Sequence, residues 1–336
     1  MLEIGLLTRG SPDSLTGGHL YHRRMADAAR SHDASVTFVQ ASLVRPPDVG
    51  HFDVVVVDSI TAWRLAPHVL RRRDPPLVAM VHQPPGGIGG TSLRRASQGA
   101  LDRYVYSRCD AVIASSRSLA LELTRHVEPS RLHVVEPGCD LPVGTPDRTL
   151  RRGRKIGVLC VANWLPHKGV LELVEAVRML PAGDVTLHLV GHDDVDGRYS
   201  RRVGDSVAAS ECIVVHGSVD RATVAGLHAG ADVFALPSLV EMYGIAYAEA
   251  VRAGVPVVGW RAGNLPNLIN DGVEGCLVSP GDVAALSDVL GRLADDGEWR
   301  ARLASAARRR GALLPTWADA AGAFFGAIRG RVGCSA

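Results

Sequence analysis

The chain reads as an α/β protein built from two doubly wound, parallel-sheet units. Short aliphatic runs bounded by Gly and Pro alternate with helical patterns along almost the whole length. Apolar residues make up 46% and aromatics only 5%, an aliphatic composition that suits strands buried on both faces. The alternation breaks once, over 139–154, and then restarts. A length of 336 residues suits two units of about 150 to 180 each.

Each element follows in order. Leu2–Thr8 reads as the first strand, and His19–Ala29 as a helix behind Gly17-Gly18. Val36–Gln40, Asp53–Asp58, Leu77–His82, Ala111–Ser115 and His133–Glu136 read as further strands. Helical stretches lie around Ala62–Arg72, Leu93–Ser107 and Ser118–His126. Residues 139–154 are rich in Pro, Gly and Arg without periodicity, which predicts a linker between an N-terminal unit (1–138) and a second unit (155–314). There, Lys155–Ala162, Val185–Gly191, Ile213–His216, Val233–Leu236, Val255–Gly259 and Cys276–Val278 read as strands. Helices are expected at Lys168–Leu180, Arg221–Ala229, Ile245–Ala253 and Val283–Ala294, then in the tail at Glu298–Arg310 and Trp317–Arg329. Strand–helix alternation of this length implies right-handed crossovers and parallel sheets. Ligands of such sheets bind beyond the carboxyl ends of the strands, so two facing sheets predict a site in the cleft between them.

Composition narrows the partners. A net charge of +2 argues against a nucleic-acid partner, and Arg71–Arg73 and Arg308–Arg310 read as solvated helix ends. Six scattered cysteines form no C-x-x-C pair, so neither a disulfide framework nor a zinc site is expected. No leader pattern and no apolar run of 18 residues stands out, which predicts a cytoplasmic chain. Arg-rich first-unit helices are compatible with peripheral contact at a membrane surface.

The most informative stretch is Ser238–Trp260, where seven residues separate Glu241 from Glu249. Gly244 interrupts the pair and the periodic apolar run starts at Ile245. Glu241 is therefore expected on a loop, with a helix starting near Gly244 and Glu249 inside it. The unpaired N–H groups of a helix start favour anions, so Tyr243, Gly244, Ile245 and Ala246 make a phosphate seat between two carboxylates. That combination suits a phosphorylated, polyhydroxylated ligand such as a nucleotide sugar.

Other motifs agree. Only two of 37 basic residues are lysines, and one of them, Lys168, lies in Val161-Ala-Asn-Trp-Leu-Pro-His-Lys-Gly169 between a strand and a helix. A compact cation at that first helical turn suits a diphosphate. Gly17-Gly18 lets a ligand approach the backbone closely, while the G-x-G-x-x-G dinucleotide fingerprint is missing. Gly86–Gly90 reads as a mobile loop. His82 ends a strand and is aimed at the carboxyl side of its sheet. His192-Asp193-Asp194 and Asp194-Val-Asp196 look like acid pairs for a metal but read as a solvated loop. No His/Cys group has metal-ligand spacing, and no G-x-S-x-G elbow occurs.

Together these motifs resemble the retaining glycosyltransferases of the family-4 type, with the two-domain GT-B fold. The resemblance rests on Pro237-Ser238-x-x-Glu241-x-x-Gly244, Glu249-Ala250, Gly254-Val-Pro256-Val-Val and Asn270-Asp271-Gly272-x-x-Gly275-x-Leu-Val-x-Pro-Gly-Asp282. In the first half, Gly17-Gly18, His82, Cys109-Asp110-x-Val-Ile-x-x-Ser115 and Glu136-Pro-Gly138 are similar to family landmarks, as is Trp317 in a closing segment (315–336) that crosses back to the first domain. The resemblance implies transfer of a sugar from a nucleoside-diphosphate sugar to a small-molecule, glycan or lipid-linked acceptor, with no metal ion or other cofactor. Glu249 would hold the ribose, Glu241 hydroxyls of the sugar, and Lys168 the leaving diphosphate, assisted by N–H groups near Gly244–Ala246. His82 would sit by the reacting sugar and Gly17-Gly18 by the phosphates. Two positions depart from the family. Asn163 stands where an arginine usually does, five residues before the lysine, and Asn264-Leu-Pro-Asn267 replaces the usual acidic residue. A sugar phosphorylase or nucleotide-sugar epimerase on the same architecture, or a non-catalytic nucleotide-sugar-binding scaffold, are the rival readings.

Overall fold

A computed structural model describes residues 1–9, 16–40, 48–69, 75–142, 145–208 and 210–332. Arg71–Arg73, Cys334 and most of the loop before Gly17 lie outside these. The chain divides into two compact units, 1–138 with 315–336, and 139–314.

In the first unit, β1 (Leu2–Thr8), β2 (Ala34–Gln40), β3 (Val54–Asp58), β4 (Leu77–Val81), β5 (Ala111–Ala114) and β6 (Leu132–Val134) form one parallel sheet in the order β2-β1-β3-β4-β5-β6. Val54–Val57 and Leu77–Val81 are buried on both faces, as their unbroken aliphatic runs require. The helices are α1 (Gly17–Ala28), α2 (Ala62–Val69), α3 (Ser92–Arg108) and α4 (Arg117–Leu123). Thr16, Thr91 and Ser116 cap α1, α3 and α4 by accepting first-turn N–H groups.

In the second unit, β7 (Ile156–Val161), β8 (Val185–Val190), β9 (Ile213–Gly217), β10 (Val233–Ala235), β11 (Val257–Trp260) and β12 (Gly275–Val278) pair in parallel in the order β12-β11-β10-β7-β8-β9. Strand order reverses between β7 and β10, which places the ligand crevice at their carboxyl ends. The helices are α5 (Val170–Arg178), α6 (Gly197–Ala208), α7 (Arg221–Gly230), α8 (Ile245–Arg252), the one-turn α9 (Leu265–Leu268), α10 (Val283–Asp295) and α11 (Gly297–Gly311).

The last helix, α12 (Trp317–Val332), returns to the first unit. Trp317 and Phe324 each lie 6.1 Å from the Tyr21 ring, Phe325 stacks on His32, and Arg329 donates to the carbonyl of Asp33 at 3.1 Å.

Three local features differ from the sequence expectations. Residues 139–154 belong to the second unit: Leu150 is buried in its core, and Arg151 pairs with Asp232 at 2.6 Å. Helix α6 was not foreseen, because its apolar face is only Tyr199, Val203 and the partly buried Val207, spaced four apart in an otherwise polar stretch. Asp196 accepts the N–H groups of Arg198 and Tyr199 there, so it caps α6. Finally, α5 begins at Val170 and not at Lys168. A 3₁₀ turn over Pro166–Lys168 ends on Gly169 at φ 70°, a left-handed conformation that an α-helix cannot contain.

Candidate functional site

In the second unit the chemistry gathers at the crossover between β7 and β10. The turn after β7 carries Lys168, and the loop after β10 carries Glu241. The two are stitched together through one backbone group. The carbonyl of His167 accepts from Leu239 N at 2.8 Å and from Ser238 Oγ at 3.0 Å. Gly169 completes the close approach, since a Cβ there would stand 2.1 Å from the Pro237 carbonyl oxygen. Lys168 Nζ is thereby delivered to Glu241 Oε1, forming a mostly buried ion pair.

Beyond Glu241 the backbone turns at Gly244 (φ 90°) into α8, and only glycine adopts that angle without strain. Ile245 and Ala246 are half-buried at the helix start, where first-turn N–H groups lack intrahelical partners. Tyr243 is buried. Asn264, the departure from the usual acid, braces this loop from behind: its N–H donates to the Glu241 carbonyl at 2.9 Å and its side-chain amide to the Tyr243 carbonyl at 3.0 Å. Its side chain is buried, so a neutral amide that donates fits where a carboxylate could only accept.

Glu249 joins a different cation. Its carboxylate, 2% exposed, accepts from Arg221 Nη2 at 2.6 Å, with Arg221 reaching across from the start of α7. Sequence reasoning missed Arg221, because one arginine among many at a helix start carries no distinguishing signal. Asn163 Oδ1 accepts the N–H of His192 at 3.1 Å and so ties the end of β7 to the loop after β8. The neighbouring His167 has its pKa lowered by burial and then by the Lys168 charge, with Glu241 opposing.

The first unit holds a second group of polar residues at the carboxyl ends of β1, β3 and β4. Gly17 and Gly18 open α1, and a Cβ on Gly18 would touch the His82 ring at 3.5 Å, an ordinary contact. His82 is half-buried with its Nε2 covered. Burial, then His22 and His19, push its pKa down to about 3 against the pull of Asp58, so the ring is neutral at pH 7. Asp58 is buried, which alone would raise its pKa; His22, His82 and Thr8 overcome that and hold it below the usual carboxylate range. His22 Nε2 lies 3.0 Å from Asp58 Oδ2. This group was invisible in the sequence because its members are 36 and 24 residues apart.

Two parallel α/β units, one of them with paired acids and cations at its strand-order reversal, define a GT-B protein. Residues 155–296 match the family model described as Glycosyl transferases group 1, and residues 6–142 the model for Glycosyltransferase Family 4. The chain belongs to the family-4-type glycosyltransferases. Similar relatives include a D-inositol 3-phosphate glycosyltransferase of Xylanimonas cellulosilytica, 36% identical over 228 residues covering 62% of this chain and 54% of that one. Another is an MMP α-(1→4)-mannosyltransferase of Mycolicibacterium hassiacum, 34% identical over 58% of this chain and 47% of that one. The chain thus spans about half the length of these curated relatives. Among solved structures, sucrose-phosphate synthase from Thermosynechococcus elongatus superposes with a TM-score of 0.84 at 19% identity, covering 100% of both chains. Anabaena HepE in complex with UDP and glucose superposes with a TM-score of 0.77 at 18% identity, covering 98% of this chain and all of that one. At such identities these two show the fold.

Proposed function

We propose that the chain transfers a sugar from a nucleoside-diphosphate sugar to an acceptor hydroxyl with retention of anomeric configuration and without a metal ion. The observation that carries this reading is the Lys168–Glu241 pair beside the helix start at Gly244, at the strand-order reversal of the second sheet. A diphosphate seated on the first-turn N–H groups of α8 takes up the Lys168 ammonium, which offsets the charge developing on the leaving group. Glu241, released from the ammonium, is free to accept sugar hydroxyls. Glu249, its charge balanced by Arg221, accepts the ribose hydroxyls. With no carboxylate assigned as a nucleophile, the departing phosphate oxygen takes the acceptor proton on the face that the acceptor attacks. His82 and Gly17-Gly18 keep the roles that the family resemblance gives them.

The acceptor class is drawn from the relatives. One is named for an inositol phosphate, another for a mannosyl transfer, which favours a polyol, sugar or phosphorylated headgroup as acceptor. No helix among the described residues is long and apolar enough to cross a membrane, and no disulfide joins the described cysteines. Both fit action in the cytoplasm or at its membrane face.

Thermal stabilisation by a panel of nucleoside diphosphates and their sugars tests the reading, with Glu249→Ala alongside. One base should raise the melting temperature of the wild type and fail with the variant. No shift with any nucleotide at saturation would sink the donor site. Stabilisation without transfer or hydrolysis would favour a non-catalytic donor-binding protein, the reading motivated by Asn163.

A further inference from the structure

The polar group in the first unit has features that sugar transfer does not explain. Asp58 is anchored from two sides. Its Oδ2 accepts from Thr8 Oγ1 at 2.9 Å, and its Oδ1 from Ile60 N at 3.2 Å and Ser59 Oγ at 3.3 Å. His22 Nε2 sits 3.0 Å from Oδ2, yet it makes no hydrogen bond, because its N–H axis is not directed at that oxygen. His22 Nδ1 and His82 Nε2 are also buried without a hydrogen-bond partner among the described residues, as are the hydroxyls of Tyr21 and Tyr106. A buried polar group left unsatisfied is costly, so this concentration asks for something to take the lone pairs. A nitrogen and a carboxylate oxygen side by side but not aimed at each other are arranged as two ligands of one ion.

We infer that His22, Asp58 and His82 form a binding site for a divalent transition-metal ion of the Zn²⁺ class. Each residue offers one ligand atom, and the three atoms lie within 4.8 Å of one another. Bonds of about 2.0 to 2.1 Å in tetrahedral geometry set ligand atoms roughly 3.3 Å apart. The His22–Asp58 spacing already suits this, and a small rotation of the half-buried His82 brings in the third ligand, leaving a fourth position for water. Imidazole nitrogens favour zinc and its neighbours over Mg²⁺ or Ca²⁺, which prefer all-oxygen shells. Thr8, Ser59 and the Ile60 N–H orient the carboxylate, as outer-shell donors do in metal centres. Resting on the proposed function, the consequence is inhibition: an ion here occupies the lone pair of His82 and withdraws it from the sugar.

The test reads metal binding directly and does not depend on activity. The purified full chain is titrated with Co²⁺, followed by its visible d–d absorption, and the bound cobalt is then displaced with Zn²⁺. One equivalent should bind in the wild type, and His22→Gln and Asp58→Asn should abolish it. Should either buried variant fail to fold by circular dichroism, His82→Gln and Thr8→Val take its place. The first should lose the site, and the second should weaken it roughly 10- to 100-fold, the usual cost of an outer-shell change. His188→Gln and His216→Gln, which alter the close histidine pair on β8 and β9, serve as controls and should bind normally. The site is overturned if the wild type takes up no stoichiometric cobalt. It is equally overturned if binding survives the His22, Asp58 and His82 changes, or disappears with the β8–β9 pair instead.

Discussion

The two lysines of this chain show how far a single residue's role is set by its surroundings. Lys155 Nζ bridges Asp184 at 2.7 Å and Asp295 at 2.6 Å, half-exposed at the edge of the second unit. Such a bridge contributes little to stability, and arginine can replace it. Lys168 faces Glu241 in the crevice. Lys168→Ala should cut transfer or donor hydrolysis about 100- to 1000-fold, the usual loss when a donor to developing charge is removed, whereas Lys155→Arg should leave it near wild type. Equal rates for both variants and the wild type would remove Lys168 from the site. Arg221 yields a second prediction. Without it, the 2% exposed Glu249 carboxylate loses its guanidinium partner. Because Arg221 itself is about one-third exposed, Arg221→Ala should cost on the order of 2 kcal/mol, below the roughly 3 to 5 for fully buried pairs. Nucleotide stabilisation should weaken in the same thermal experiment; an unchanged melting temperature and an unchanged nucleotide shift would deny Arg221 this role. Lys168 was legible in the sequence because lysine is rare here. Arg221 was not, because its partner lies 28 residues away across a strand crossover that only the fold brings together.

At the scale of elements, the loops rather than the strands position the chemistry. Gly169 and Gly217 both hold positive φ, 70° and 65°, but a Cβ at Gly169 meets the Pro237 carbonyl while one at Gly217 meets open space. Gly217→Ala should therefore cost about 1 kcal/mol, the penalty of a left-handed alanine. Gly169→Ala should cost clearly more and also lower turnover, since it pushes the Lys168 turn off the Glu241 loop. Equal melting temperatures for the two variants would show that the stitch is slack. In the first unit, Asp102 of α3 accepts the Gly86 N–H at 2.9 Å, and burial pushes its pKa up to about 6 despite that bond. Between its ordinary value and about 6 the folded chain holds a proton that the unfolded chain has lost. Stability from this group therefore falls as pH rises through that window. The melting temperature of wild type minus that of Asp102→Asn should decline between pH 4 and 7, and a flat difference would refute the assignment. All twelve strands among the described residues were legible, most of them because unbroken aliphatic runs leave a parallel strand few alternatives. The start of α5 was misread because helical periodicity passes through Lys168, whereas the left-handed Gly169 separates the 3₁₀ turn from a helix that starts at Val170. Helix α6 was lost because two buried side chains in a polar stretch give too little pattern to read.

For the molecule as a whole, the two units carry different titratable groups inside them. The second unit buries His228, whose ring stacks on Phe234 with centroids 5.4 Å apart, and burial pushes its pKa down to about 3. His188 and His216 share a 2.9 Å contact on β8 and β9. Burial lowers the pKa of both, with Arg152 adding to the effect and Asp147 opposing it. A histidine whose folded pKa is depressed contributes stability above its unfolded value of about 6.5 and loses it as the pH falls. The second unit holds four such groups, His167 being the fourth. The first sets His82 against Asp102, whose raised pKa acts in the opposite direction over part of the same range. Acid should therefore loosen the second unit first. Hydrogen exchange, corrected for intrinsic rates, should show protection in β8–β10 falling more steeply from pH 7 to 5 than protection in β3–β5. His228→Leu removes one of these protons and should flatten the acid slope by up to about 1.4 kcal/mol per pH unit between roughly 6.5 and 3. If β3–β5 opened first, or if His228→Leu left the slope unchanged, these buried rings would not be what limits the chain in acid.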